Sequence, residues 1–204
     1  MTTSTEHWER IYSTKSSDEV SWYQRDPSVS LRLVLEHAQP SSSVVDVGAG
    51  TSYLVDRLLE RGYQDVTLVD VAQHALDEVA HRLGPAGESV SFVRSDVLFW
   101  RPRRPYDLWH DRAVFHFLSG EHEAERYASL ASESIKPGGT LILATFALDG
   151  PTHCSGLLVH QYDAEGLARC FQDHFTLEHQ EREEHLTPSG AVQHFTWAVL
   201  RRGG

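Results

Sequence analysis

An acidic residue and two glycines occur together where a short apolar run ends and a helical pattern begins. The run Val44-Val45-Asp46-Val47 leads directly into Gly48-Ala49-Gly50-Thr51. Glycines at these positions allow a sharp turn and a close approach of the backbone to a ligand, and the following helix supplies unpaired N–H groups. The segment therefore predicts a ligand-binding turn between a strand and a helix.

The residues around this turn restrict the ligand. A dinucleotide fingerprint needs a third glycine at position 53, where this chain has Tyr53, so the turn departs from the NAD-binding pattern. Asp46 would repel a pyrophosphate, whereas it would attract a ligand that carries an ammonium group. A dinucleotide oxidoreductase remains a distant alternative, which binding of NAD(P) would favour.

Two further acids follow strand patterns. Asp70 closes the run from Val66 to Val69, and Asp96 comes shortly after Val90 to Val93. A carboxylate at the carboxyl end of a strand can accept hydrogen bonds from both hydroxyls of a ribose. Each acid alone could equally cap a turn or a helix, so only the ordered set points to a ligand site.

The order of these segments resembles the class I S-adenosylmethionine (SAM)-dependent methyltransferases. Asp46, Gly48 and Gly50 match the start of the family's Asp-x-Gly-x-Gly-x-Gly motif, and Ser52 replaces its last glycine. Asp70 and Asp96 match the ribose-binding and adenine-contacting positions, and Lys136-Pro137-Gly138-Gly139 resembles the turn before the fifth strand. The resemblance implies SAM as cofactor, with S-adenosylhomocysteine (SAH) as product. The implied cofactor-binding residues are Trp22, Asp46, Gly48, Ala49, Gly50, Asp70, Val71, Asp96 and Val97.

Polar residues also follow the next strand pattern, Asp107 to His110. Ligands on open α/β sheets lie at the carboxyl ends of strands, which makes Asp111, Arg112 and His116 the candidate catalytic residues. His110 and His116 suit proton transfer near neutral pH, and Arg112 suits a thiolate or an anionic substrate. Alternatively, Asp111 and Arg112 pair with each other or cap the next helix, and His116 packs in the core.

The Asp111-Arg112 pair is followed by Ala113. It resembles the Asp-Arg-Gly segment of thiopurine S-methyltransferases and the Asp/Glu-Lys-Gly-Thr segment of certain protein-lysine methyltransferases. The resemblance implies an enzyme that methylates a small molecule, with sulfur or another soft atom as the preferred acceptor. A protein lysine is the alternative acceptor. A SAM-binding regulatory subunit without catalysis is a third hypothesis, because the same motifs bind cofactor whether or not transfer occurs.

The elements that must position these residues alternate between short β-rich runs and amphipathic helical patterns. This alternation predicts a doubly wound α/β fold, with a mostly parallel sheet and helices on both faces. The family resemblance makes that sheet Rossmann-like and seven-stranded. The predicted strands are Val44 to Val47, Val66 to Val69, Val90 to Val93, Asp107 to His110 and Thr140 to Phe146, and the predicted helices are Thr51 to Arg61, Ala72 to Leu83 and Glu121 to Ile135. Phe175 to His185 and Ala191 to Arg201 alternate around a turn, which predicts a C-terminal antiparallel hairpin.

The front of the chain predicts two helices, Glu6 to Tyr12 and Pro27 to His37. We expect residues 1–40 to form a helical extension and residues 41–204 to form the methyltransferase domain. Related methyltransferases fold such an extension over the cofactor as a lid. The aromatic residues Trp8, Tyr12, Trp22 and Tyr23 suit a cationic sulfonium through cation–π attraction, and the alternative is that they only pack the extension onto the domain.

The amino-acid composition restricts the classes of partner that the chain can bind. The 204 residues suit one domain, and 18 Lys and Arg against 29 Asp and Glu give a net charge of −11, which disfavours nucleic acid and anionic lipid as partners. The two cysteines, Cys154 and Cys170, provide no disulfide framework, and no leader or membrane-spanning run is present, so a cytoplasmic location is the default expectation. No metal-ligand spacing is found. The oligomeric state is left open.

Overall fold

A computed structural model describes residues 2–120 and 122–204 of the chain. Seven strands form the main sheet, and two short strands form a separate ribbon. The strands are β1 (Val44–Val47), β2 (Val66–Asp70), β3 (Val90–Arg94), β4 (Tyr106–Arg112), β5 (Ile135–Phe146), β6 (His153–Cys154), β7 (Leu157–Leu158), β8 (Phe175–Leu186) and β9 (Val192–Arg202). The helices of the described residues are α1 (Thr2–Thr14), α2 (Ser28–His37), α3 (Leu54–Glu60), α4 (Gln73–Leu83), α5 (Glu123–Ser134) and α6 (Ala164–Phe171).

The main sheet has the strand order β3-β2-β1-β4-β5-β9-β8. Strands β1 to β5 run parallel, and β9 is antiparallel to both β5 and β8. The chain order reverses between β1 and β4, which is the switch point where open α/β sheets bind ligands. The predicted doubly wound sheet with its C-terminal antiparallel hairpin is therefore confirmed.

Helices cover both faces of the sheet. On one face, Leu33 of α2 and Leu58 of α3 pack in the same buried cluster as Leu108 of β4. On the other, Tyr127 of α5 and Leu167 of α6 pack with Trp109 of β4. Side chains of one strand alternate between the faces, so consecutive residues of β4 belong to different clusters. This alternation decides where the polar residues at the end of β4 lie.

Two boundaries near the site differ from the sequence prediction. Helix α3 begins at Leu54 and not at Thr51, because the Ser52 hydroxyl accepts the Leu54 N–H at 3.1 Å and Arg82 binds the carbonyls of Thr51 and Ser52. Strand β4 continues through Arg112, since Asp111 still pairs with Val47 of β1 and Arg112 pairs with Ala144 of β5. The predicted start of α5 at Glu121 lies outside the described residues.

The N-terminal helices pack against the carboxyl end of the sheet. Tyr12 of α1 is buried in a small cluster with Ala72, which directly precedes α4, and with Ala75 of α4. Ser21, in the loop before α2, accepts a hydrogen bond from His185 of β8 at 2.7 Å through its carbonyl. These contacts hold the extension over the switch point. No helix among the described residues is long and apolar enough to cross a membrane.

Candidate active site

The glycine turn after β1 is fastened to β2. Gly48 and Gly50 have positive φ angles of 63° and 52°, the left-handed region that glycine adopts without strain. The Gly48 N–H donates to the Val69 carbonyl at 2.7 Å, and the Gly50 N–H donates to the Asp70 carboxylate at 2.8 Å. The turn and Asp70 therefore form one unit at the carboxyl edge of the sheet.

Asp70 is a buried carboxylate whose hydrogen-bond donors are backbone groups. Its second oxygen accepts the Ala72 N–H at 2.8 Å. Burial raises the pKa of Asp70 to about 6, and the N–H donors of Ala72 and Gly50 oppose that shift. Each carboxylate oxygen can accept a second hydrogen bond, so Asp70 can still accept two hydroxyl groups from a ligand.

A cavity of about 790 Å³ opens beside Asp70, within the range of roughly 300–1,000 Å³ that is usual for small-molecule and cofactor sites. Six of the predicted cofactor-binding residues line it: Trp22, Gly48, Asp70, Val71, Asp96 and Val97. Asp46 and Ala49 line a second, smaller cavity on the other side of the turn. Gly50 lines neither cavity and lies under Tyr12, whose hydroxyl oxygen would be 2.4 Å from an added Cβ.

Aromatic side chains from the N-terminal extension cover the large cavity. The Trp8 ring lies 5.6 Å from that of Trp22 and 5.2 Å from that of Phe117, and Tyr12 lies 6.2 Å from Trp22, all between ring centroids. All four residues line the cavity. Ring faces and edges grouped in this way provide a wall that suits a bound cation.

Asp46 belongs to a buried polar network. Its Oδ1 lies 2.7 Å from Nδ1 of His110, whose Nε2 lies 3.0 Å from the Ser30 hydroxyl. A carboxylate only accepts, so Nδ1 donates to Asp46 and the hydroxyl donates to Nε2. The order of groups is that of a serine-hydrolase triad, but all three residues are buried. Because both ring nitrogens are engaged, His110 is not available as the proton acceptor that its sequence position suggested.

Asp111 lies on the opposite face of β4 from His110 and Arg112. Its carboxylate accepts hydrogen bonds from the Val114 N–H at 2.9 Å, the Phe115 N–H at 3.1 Å and the Tyr127 hydroxyl at 2.5 Å. Burial raises its pKa to about 6, and it is absent from the walls of both cavities. Its contacts do not support the predicted catalytic role, and we reassign Asp111 to the structural network that shapes the turn after β4.

Asp111→Asn is expected to lower the free energy of unfolding by about 1–3 kcal/mol. An amide NH₂ would replace one carboxylate oxygen and face N–H or O–H donors, which would then lack an acceptor. Tyr127→Phe removes one of the three donors and also the acceptor of the Trp109 Nε1–H at 2.9 Å, so it should cost a similar amount, about 1–3 kcal/mol. Urea denaturation of both variants and the double variant measures the coupling. Asp111→Asn with wild-type stability would contradict the structural role.

Arg112 has a buried guanidinium with unused donors. Its Nη1 donates to the Trp22 carbonyl at 3.2 Å, and its carbon atom Cζ lies 4.4 Å from the centre of the Phe195 ring. Glu183 approaches Nε only to 3.9 Å. Nε and Nη2 have no hydrogen-bond partner among the described residues, and burial lowers the pKa of Arg112. Unlike Asp111, this candidate lines both cavities.

His116 is a core residue. Its ring packs between those of Phe117 and Phe146, with centroids 4.5 and 4.9 Å away, and its Nδ1 accepts the Phe146 N–H at 3.4 Å. Burial, with the positive charge of Arg112, lowers its pKa to about 3. It lines neither cavity. Its contacts therefore fit the core alternative and do not support the predicted catalytic role.

Several residues that line the large cavity were not singled out from the sequence: Glu6, His7 and Arg10 of α1, and Phe99. The Nε2 atom of His7 is buried and has no hydrogen-bond partner among the described residues. Helical spacing is the sequence signal that could have placed Glu6 and Arg10 together at the cavity, because they lie one turn apart on α1. Cys154 also lines the cavity, and burial raises the pKa of its thiol to about 12.

The family comparison covers the strands and turns just described. Residues 44–139, from β1 to the turn inside β5, match the model of a family described as a methyltransferase domain. This segment resembles a methyltransferase domain, and the match covers 96 of the 204 residues.

Similar proteins act on different acceptors. Malonyl-[acyl-carrier protein] O-methyltransferase 2 of Ilyobacter polytropus is 24% identical over 136 residues, which cover 66% of this chain and 51% of that protein. The eEF1A lysine and N-terminal methyltransferase of Mus musculus is 26% identical over 95 residues, which cover 46% of this chain and 13% of that protein. The chain thus spans about half the length of the first relative and a small part of the second.

A solved structure shares the fold of the chain. It is the 1,6-didemethyltoxoflavin-N1-methyltransferase of Burkholderia thailandensis, with bound 1,6-didemethyltoxoflavin and SAH. The two chains are 22% identical, the TM-score is 0.72, and the alignment covers 100% of this chain and 85% of the other. At 22% identity the likeness shows a shared fold. Because the alignment covers the whole chain, that shared fold includes the N-terminal helices.

Proposed function

We propose that the chain is a SAM-dependent methyltransferase that acts on a small nucleophile, with sulfur or another soft atom as the preferred acceptor. The observation that carries the proposal is the continuity of the large cavity. It joins the acids Asp70 and Asp96 to an end lined by Arg112, Cys154 and Phe117. One chamber therefore has room for a nucleoside and for a second small molecule beside it.

The residues present fit SAM. Asp70 retains acceptor capacity for the two ribose hydroxyls, as described above. Asp96 uses its Oδ1 to accept the Leu98 N–H at 2.9 Å, which leaves its other oxygen to accept from an exocyclic amine. Trp8 and Trp22 form a ring wall for a positively charged sulfur. When bound, SAM supplies an electrophilic methyl group on that sulfur.

The chain's own contribution to transfer is positioning and exclusion of water. Holding two reactants in line can lower a barrier by about 7–11 kcal/mol, and the rings of Trp8 and Trp22 cover part of the cavity. His110 and His116 do not offer a free basic nitrogen to the cavity. A methyl acceptor that arrives unprotonated needs no basic group, so the site favours a soft or already ionised acceptor atom.

Two features bear on the alternative acceptors, which are a protonated small molecule and a protein lysine. His7 lines the cavity with Nε2 unpaired among the described residues, so it is the group to examine if the acceptor arrives protonated. A protein lysine would have to pass the rings of Trp8 and Trp22, which partly cover the cavity, and the small-molecule proposal rests on that partial cover. The eEF1A-modifying relative keeps lysine peptides in the test.

Calorimetric titration with SAH, with NAD as the matched control, tests the cofactor. We expect micromolar binding of SAH alone. The SAM-loaded protein is then assayed for SAH release with thiols, selenols and lysine peptides. Binding of NAD and not SAH would overturn the proposal, whereas turnover of lysine peptides alone would move the acceptor to protein. Binding without turnover of any acceptor would favour a regulatory subunit.

A further inference from the structure

The edge strand β8 holds the N-terminal extension with three of its side chains. Glu181, Glu183 and His185 alternate along β8, so they point to one face of the strand. All three bind residues of the extension, which are Arg32, Gln24 and Ser21 in that order. The last two of these partners lie in the loop before α2, and that loop also carries Trp22.

His185 binds the backbone of this loop. Its Nε2 lies 2.7 Å from the Ser21 carbonyl, and a carbonyl only accepts, so the ring carries its proton on Nε2. His185 is 4% exposed, and burial, with the positive charge of Arg112, lowers its pKa. The neutral ring is therefore a donor to Ser21 near neutral pH. The next carbonyl along the chain, that of Trp22, accepts from Nη1 of Arg112 at 3.2 Å.

Glu183 ties the same loop to the interior of the sheet. One of its carboxylate oxygens accepts from the Gln24 side chain at 2.6 Å, and the other accepts from Nε1 of Trp197 at 2.9 Å. Trp197 lies fully buried in β9, and the Glu183 side chain is itself buried. Residues 21–24 are thus bound through two backbone carbonyls and one side chain.

The ring of Trp22 lines both cavities. It lies 5.6 Å from the Trp8 ring and 6.2 Å from the Tyr12 ring, between centroids, and both of these rings line the large cavity as well. Glu183 and His185 line neither of the two cavities. Any effect of these two residues on a ligand must therefore pass through the loop that they bind.

We propose that His185 and Glu183 are positioning residues of the proposed methyltransferase and act on cofactor binding through Trp22. They fix residues 21–24 and thereby keep the Trp22 ring at the cavity. This inference rests on the proposed function, because it concerns binding of the cofactor named there. A ring that is held in place before binding does not have to be ordered by the ligand, and such preorganisation raises affinity.

The test measures SAH affinity by calorimetry in His185→Phe, which keeps a ring but removes the donor to Ser21. A neutral hydrogen bond stabilises the bound loop by roughly twofold to tenfold, so SAH affinity should fall by about the same factor as fewer chains hold the ring in place. His185→Gln, whose side-chain amide can donate to the same carbonyl, should recover most of the affinity. Gln24→Leu, which breaks the contact with Glu183, should give a loss like that of His185→Phe.

A second background separates positioning from general stability. Trp22→Ala protein has no ring to position, so His185→Phe should cause no further loss of SAH affinity in it. The loss of stability in urea should be the same in both backgrounds, because His185→Phe removes the contact with Ser21 in each. His174→Phe is the matched control, since His174 is exposed and lines neither cavity. It should leave SAH affinity unchanged.

The outcomes distinguish the positioning role from the proposed function. Wild-type protein that does not bind SAH overturns both. If wild-type protein binds SAH, folded His185→Phe and Gln24→Leu proteins with wild-type affinity overturn only the positioning role. Trp22→Ala with wild-type affinity, or equal losses from His185→Phe in both backgrounds, also overturns it, because the effect would then not pass through the Trp22 ring. If His185→Phe does not fold, Gln24→Leu decides in the same two backgrounds.

Discussion

Asp70→Ala is expected to weaken SAH binding by at least tenfold, since each charge-assisted hydrogen bond to a ribose hydroxyl is worth about 1.5–3 kcal/mol. The structure adds a second cause. The carboxylate also accepts the N–H groups of Gly50 and Ala72, so the variant loosens the glycine turn as well. Calorimetric titration with SAH measures the effect, and unchanged affinity would place the ribose elsewhere.

The raised pKa of Asp70 predicts how that binding depends on pH. Its pKa is about 6 in the folded chain against about 3.9 for an unfolded aspartate. The folded state therefore holds the proton more tightly, so ionised Asp70 lowers stability, and this cost is absent below pH 4 and fully present above pH 6. SAH needs the ionised carboxylate as acceptor, so its affinity should fall as pH drops, by about tenfold at pH 5. In Asp70→Asn this fall should disappear.

Gly48→Ala is expected to give the largest loss of stability among the changes considered. A Cβ there would lie 1.9 Å from Cγ2 of Val114, a stiff branched side chain, and the backbone has φ of +63°. Left-handed backbone costs about 1–2 kcal/mol for a non-glycine residue, and overpacking adds about 1–3 kcal/mol. The free energy of unfolding in urea should fall by their sum, about 2–5 kcal/mol, and SAH binding should fall with it.

Gly62→Ala separates the two causes. Gly62 has φ of +83°, but an added Cβ there would have no atom within 4 Å. It should therefore cost only the backbone component, about 1–2 kcal/mol, and leave SAH binding unchanged. Equal losses at positions 48 and 62 would show that the contact with Val114 is not what makes glycine necessary in the turn.

Much of the architecture could be predicted from the sequence, because the relevant signals are local. The period of the apolar residues distinguishes strands from helices, and Gly48 and Gly50 mark the turn between them. Asp70 and Asp96 follow strands whose carboxyl ends share one edge of a parallel sheet, so their convergence on one cavity also follows from the chain order.

Only the tertiary structure decided which polar residues of β4 face a ligand. His110, Asp111 and Arg112 are adjacent in sequence, but successive side chains of a strand point to opposite faces. Asp111 is thereby turned to Tyr127 of α5, and Arg112 to Trp22 and the cavities. How far β4 extends depends on its pairing with β1 and β5, and the role of His116 depends on Phe117 and Phe146 closing over it. Such contacts join distant segments, so the sequence by itself determined the fold and the cofactor edge, and packing between segments determined which side chains remain free to act.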